Sequence, residues 1–169
     1  IGIAQPYLNL AFIQLQIKKY KEAENNLNKA MEVINNINQN HSVKLDLYSI
    51  YANLYSKKNL NEKIKFQKFI LLSYNFINDN YSELVAKGFL NFKNLYKNRS
   101  TFQYNIDHLI ENIIEADDLE QFLKEKSGKE INDIILDLSE KRRDAKINNR
   151  LENLIKRSEN PKILKIHMQ

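Results

Sequence analysis

The sequence contains no cysteine, two prolines (Pro6 and Pro161) and three glycines (Gly2, Gly88 and Gly128) in 169 residues. Without cysteine there is no disulfide framework, no thiolate nucleophile and no thiolate-ligated metal. The scarcity of glycine and proline argues against a sheet protein, whose many turns lean on those two residues for their backbone geometry. Long helices joined by polar loops need few of either. No apolar run approaches 18 residues, so no transmembrane segment is expected. Phosphate-binding glycine loops, a nucleophile elbow and a dinucleotide fingerprint are also missing.

A hydrophobic content of 43% with 28% charged residues is ordinary for a folded domain, and the length allows a real core. The net charge of +5 is concentrated at one end. Residues 139–169 carry nine basic side chains (Lys141, Arg142, Arg143, Lys146, Arg150, Lys156, Arg157, Lys162 and Lys165) against four acidic ones (Glu140, Asp144, Glu152 and Glu159), and the preceding residues balance. Attraction for an anionic partner is therefore expected at the C-terminal end.

Hydrophobic periodicity lays out a series of helices. Pro6 suits a first helical turn, and Leu8, Leu10, Ala11, Ile13, Leu15 and Ile17 carry a helix to about Lys19. Tyr20 marks a short turn. Ala23, Leu27, Ala30, Met31 and Ile34 then recur at three- and four-residue steps, and so short a turn makes the two helices antiparallel. After a polar loop at 35–42, with Ser42 as cap, a third helix places Leu45, Tyr48, Tyr51, Ala52 and Tyr55 on one face. Leu60, Ile64, Gln67, Ile70 and Leu71 mark a fourth, which ends near Asn78–Asn80. Phe66 and Phe69 fall off that stripe, toward a further helix pair or an interface. A fifth helix carries Leu84, Val85, Phe89, Phe92 and Leu95. A sixth, capped by Ser100 or Thr101, carries Phe102, Ile106, Leu109, Ile110 and Ile113. Two capping boxes, Asp117 with Glu120 and Ser127 with Glu130, open short helices bearing Leu119, Phe122 and Leu123, then Ile131, Ile134, Ile135 and Leu138. The apolar stripe is interrupted at 140–144 and resumes with Ile147, Leu151, Leu154 and Ile155.

Residues 7–34 resemble one tetratricopeptide repeat: Tyr7-x-x-Leu10-Ala11, Tyr20-x-x-Ala23, then Leu27-x-x-Ala30-Met31. Residues 45–72 resemble a second, degenerate unit, with Tyr51-Ala52 and Tyr55 in the first-helix slots. The step from Ala11 to Ala52 is longer than the usual repeat period, and the surplus falls in the 35–42 loop. The resemblance implies an all-α fold of antiparallel helical hairpins stacked as a short right-handed solenoid, followed by additional C-terminal helices. The expected organisation is repeats over 1–80, a third hairpin and cap over 81–138, and a basic helical segment over 139–169.

The same resemblance implies a concave groove lined by the first helix of each unit. Gln5, Asn9, Phe12 and Gln16 would face it from the first unit, and Ser49, Asn53 and Ser56 from the second. Asn9 occupies a slot that peptide-binding members use to hold a ligand backbone. The basic residues of a carboxylate clamp are missing from these slots, against recognition of a free C-terminus. The tyrosines at 48, 51 and 55 suit intramolecular packing better than a partner surface. In the tail, Lys141, Arg142, Arg143, Lys146 and Arg150 are the candidates for an anionic partner, nucleic acid included, through phosphate contacts.

Catalysis is not expected. His41, His108 and His167 lie far apart, and Asp107-His108 near Glu111 reads as solvent-facing decoration of a charged helix. No cofactor is implied. The expected function is a cytoplasmic protein–protein interaction scaffold, or the sensor segment of a larger regulator, that binds a peptide or helix in the repeat groove. The alternative is a nucleic-acid-associated protein that works through its basic C-terminal segment.

Overall fold

The computed structural model describes residues 4–36, 43–57, 62–82, 101–116 and 118–143, and among these the secondary structure is helical with no strand. In chain order the helices are α1 (Ala4–Gln16), α2 (Tyr20–Asn35), α3 (Val43–Lys57), α4 (Lys63–Asp79), α5 (Thr101–Glu115), α6 (Leu119–Ser127) and α7 (131–143). The all-α expectation holds. The stripes expected at 84–95 and 147–155, the caps Ser42 and Asp117, and Leu60 lie outside the described residues.

α1 and α2 pack antiparallel. Asn26 donates to the Gln14 side chain at 2.8 Å, and Lys29 lies over the Tyr7 ring at 5.9 Å, so advancing along one helix means retreating along the other. Ala11, Ala23 and Ala30 are fully buried between them, which allows the close approach that larger side chains would block. α1 stops at Gln16, earlier than the apolar pattern suggests. Lys18 turns the chain with φ +63, and the Lys19 amide donates back to the Gln14 carbonyl at 2.8 Å. Tyr20 thus opens α2 and is not part of the turn.

α3 and α4 form a second antiparallel pair held by aromatic rings. Phe69 of α4 stacks on Tyr51 with centroids 4.3 Å apart and 11° between planes; Tyr55 lies near-parallel to it at 5.9 Å and Tyr48 is tilted against it at 6.2 Å. This corrects the α4 stripe drawn from sequence. Ile64 is 82% exposed, whereas Phe66, Phe69, Ile70, Tyr74, Phe76 and Ile77 are buried. The packing that decides the phase is supplied by the tyrosines of α3, which accept flat aromatic partners. Phe69 belongs to its own hairpin's core.

α3 also packs on both helices of the first pair. Tyr51 donates to Asn28 at 2.6 Å and Tyr55 donates to the Glu24 carboxylate at 2.7 Å, so α3 runs antiparallel to α2. Burial and the nearby Glu24 charge push both phenols well above their ordinary range. They therefore stay protonated donors at any physiological pH.

α5 lies against α3 and, less extensively, α4. α6 ends at Gly128, whose φ of +71 is a left-handed C-cap; its amide donates to the Lys124 carbonyl at 2.8 Å. Ser127 therefore closes α6. Its hydroxyl accepts from the Lys129 amide at 3.2 Å and does not open a capping box with Glu130. α7 then crosses back over α4: Tyr74 donates to Asp137, and Tyr81 donates to the Lys141 carbonyl. Ile134 and Leu138 are buried beneath it.

Candidate partner-binding face

Helical spacing puts Gln5, Asn9, Phe12 and Gln16 on one face of α1. Gln5, Asn9 and Gln16 are exposed, and Gln5 donates to Asn9 at 2.9 Å. Phe12 is half-buried, with its ring edge-on to Tyr104 of α5 at 6.1 Å, and Tyr104 meets His108 edge-on at 4.2 Å. An aromatic run of Phe12, Tyr104 and His108 thus closes one side of the face that the sequence left open.

On α3 the corresponding face is polar and covered. Asp46 accepts from the Asn105 amide at 2.6 Å, joining α3 to α5. Ser49 and Asn53 follow Asp46 at three- and seven-residue steps and are buried, at 8% and 7% exposure. They were expected on an open groove wall; α5 packs over α3 on this side and buries them. Ser56 remains exposed and donates to the Asn53 carbonyl at 2.7 Å. From α5, Asn105 and Asn112 are buried one heptad apart with His108 between them. Among the described residues, five polar side chains are buried, and four of them (Ser49, Asn53, Asn105 and Asn112) belong to this seam. The fifth, Ser73, is satisfied by the Phe69 carbonyl. An unpaired buried amide costs about 1–3 kcal/mol, so a seam this polar must hold its groups in fixed hydrogen-bonding positions. The described residues show one buried side-chain atom without a partner, Asn78 Oδ1, and it lies elsewhere, on α4.

Burial pushes the Asp46 carboxyl up to about 6, against the opposing effect of the Asn105 bond. Burial likewise lowers His108; Glu111 and Asp107 pull it back up, and Lys57 pushes it further down. His108 is therefore not solvent-facing decoration, and Asp107 is engaged by Arg142. The periodic stripe Ile106, Leu109, Ile113 was legible in the sequence. The polar stripe 105, 108, 112 beside it was visible only as interruptions of a charged helix.

The basic candidates are placed differently. Lys141 pairs with Asp137 and lies over the Tyr81 ring at 5.5 Å, and Arg142 pairs with Asp107 of α5. Arg143 is exposed, and Lys146 and Arg150 lie outside the described residues. Among the described residues no group of three or more His, Asp or Glu side chains is placed to hold a metal ion, and no helix is long and apolar enough to cross a membrane.

Compared with protein-family models, with curated proteins and with solved structures, the chain finds no match in any of the three.

Proposed function

We propose that this chain is a short helical-repeat scaffold of tetratricopeptide type that holds a peptide or helix of a partner protein along the exposed polar edge of α1 and α3. The observation that carries the reading is a correspondence between α1 and α3. At the step that takes Ala11 to Ala52, Tyr7 and Gln14, which meet α2, map onto Tyr48 and Tyr55, which meet α4. Two hairpins built alike and stacked in sequence make a right-handed solenoid, in which α5 takes the next first-helix place. α7 supports the same register: it meets α4 through Tyr74 and Tyr81 and α5 through Arg142, as the second helix of a third unit would.

In this reading Gln5, Asn9, Gln16 and Ser56 are the contact residues. The buried seam of Asp46, Ser49, Asn53 and Asn105 holds the helices that present them. Side-chain amides on rigid helices suit the alternating donors and acceptors of a peptide backbone. The module works in the cytoplasm in this reading, as scaffold or as sensor segment of a larger regulator. The nucleic-acid alternative is not favoured, since Lys141 and Arg142 are already spent on intramolecular ion pairs.

The test is peptide selection by display against the whole chain, followed by titration of the selected peptides into an Asn9→Ala, Gln16→Ala double variant. Both side chains are exposed, so the helical circular-dichroism signal should persist while affinity falls at least tenfold. Undiminished affinity would move the site off this face.

A further inference from the structure

The bond between Asp46 and Asn105, at 2.6 Å, fixes a register between α3 and α5 near the start of each helix. The charge of Lys57, at the far end of α3, acts on His108, which lies one turn beyond Asn105. Antiparallel packing would carry Lys57 away from His108, so the two helices run parallel. Seven residues make about two helical turns, so Asn53 repeats the position of Asp46 and Asn112 that of Asn105. Asn53 and Asn112 therefore stand opposite each other, about 10 Å along the seam from the first pair.

Unlike the first pair, they do not bond. Both are buried at 7% exposure, yet among the described residues neither carboxamide meets a hydrogen-bond partner, and neither is sealed from the surface. Ser49, level with His108 between the two pairs, is buried at 8% and its hydroxyl is likewise unengaged among the described residues. Buried amides left unbonded are costly, and an inserted group that bonds both restores what is lost. The charges around His108 are mixed, with Lys57 acting in one sense and Glu111 and Asp107 in the other, so the site selects no ion. Each Asn offers both a donor and an acceptor. A primary carboxamide answers the two together, its carbonyl accepting from one Asn while its NH2 donates to the other. Phe12 and Tyr104, edge-on beside His108, supply apolar rings for a short methylene stem.

We infer that the Asn53–Asn112 end of the seam is a binding site for an uncharged primary carboxamide on a short apolar stem, the chemistry of a glutamine side chain. The inference rests on the packing of α5 against α3 and holds whether or not the exposed edge of α1 takes a peptide.

The probe is N-acetyl-glutamine N-methylamide, titrated into the isotope-labelled whole chain at pH 7 while NMR follows the side-chain amides of Asn53 and Asn112. Both should shift and saturate. The equally capped glutamate carries an anion in place of the amide, and the capped norvaline carries no polar group. Each should bind at least tenfold more weakly, because each leaves an Asn group unmatched. Equal affinity for the three, or shifts that never saturate, would overturn the site and leave water between the two amides. Asn112→Leu should abolish the saturable shift at Asn53, with circular dichroism reporting that the variant folds; if it does not fold, the ranking of the three probes on the parent chain decides. Free L-glutamine binding as tightly as the capped form would make a free amino acid the carrier of the carboxamide, and tenfold weaker binding would make it a peptide. Binding that disappears in the Asn9→Ala, Gln16→Ala chain, with Asn53 and Asn112 unshifted in the parent, would put the carboxamide on the edge of α1 and overturn the seam site alone.

Discussion

Tyr51 of α3 donates its hydroxyl to Asn28 of α2 at 2.6 Å while its ring lies flat on Phe69 of α4, so one side chain ties three helices together. The hydroxyl and the ring act on different interfaces, which makes their contributions separable. Tyr51→Phe keeps the stack and removes the bond between the hairpins. It should cost about 1 kcal/mol, a typical net value for such a bond. Tyr51→Ala removes both and opens a cavity, and should cost about 3–5 kcal/mol. Urea denaturation of the two variants checks the order; equal losses would mean that the hydroxyl carries the whole effect.

Gly128 makes a cleaner test of backbone chemistry. Its φ of +71 closes α6, and a methyl group added there would meet nothing within 4 Å. Any loss in Gly128→Ala is therefore conformational, about 1–2 kcal/mol for an L-residue held in the left-handed region. Gly128→Asn should recover part of it, because Asn tolerates that region better. Thermal unfolding of the pair decides the matter, and an unchanged midpoint in Gly128→Ala would show that the cap contributes nothing.

What the sequence revealed, and what it hid, follows from where the information resides. Periodicity located the helices, because each has its own apolar repeat; that Ala11, Ala23 and Ala30 sit fully buried in a close crossing emerges only from the packing. The phase of α4 was not legible. Ile64 is as apolar as Phe66 and Phe69, and only the tyrosines across the interface favour the aromatic face. The polar seam was hidden for the same reason. Asp46 and Asn105 are 59 residues apart, and nothing local to either marks it as a partner of the other. Helical spacing puts the α1 candidates on one face, whereas nothing local to α3 marks Ser49 and Asn53 as buried.

The ion pair between Arg142 and Asp107 fastens α7 to α5. Arg142→Ala leaves the Asp107 carboxylate, itself only 19% exposed, without that partner. A loss of about 1–2 kcal/mol is expected, more than the fraction of a kcal/mol typical of exposed pairs. Asp107→Asn with Arg142→Ala should cost less than the sum of the single changes, and a double-mutant cycle by chemical denaturation measures the coupling. Strict additivity would mean that the pair does not hold the helix.

The Asp46–Asn105 bond predicts a pH response whose sign is opposite to ordinary acid denaturation. Asp46 has an ordinary value of 3.8 that burial raises to about 6 in the folded chain. The folded state therefore binds the proton more tightly than the unfolded state, and the carboxylate form penalises folding above pH 6. As pH falls from 7 toward 4 the penalty is relieved, so this group adds stability on acidification. Asn105 accommodates the change, since its amide can turn to offer its oxygen to the protonated acid. Asp46 stays partly exposed at the surface, so the gain is discounted for screening to about 1–2 kcal/mol. His108 on α5 works the other way: its lowered value makes protonation below its ordinary 6.5 destabilising. The comparison is therefore made in a His108→Gln background, with and without Asp46→Asn. The background chain should gain stability relative to the Asp46→Asn chain between pH 7 and pH 4.5, by urea midpoint at each pH. Parallel curves for the two would mean that Asp46 titrates as it does in the unfolded chain, and that the contact between α3 and α5 leaves it in water.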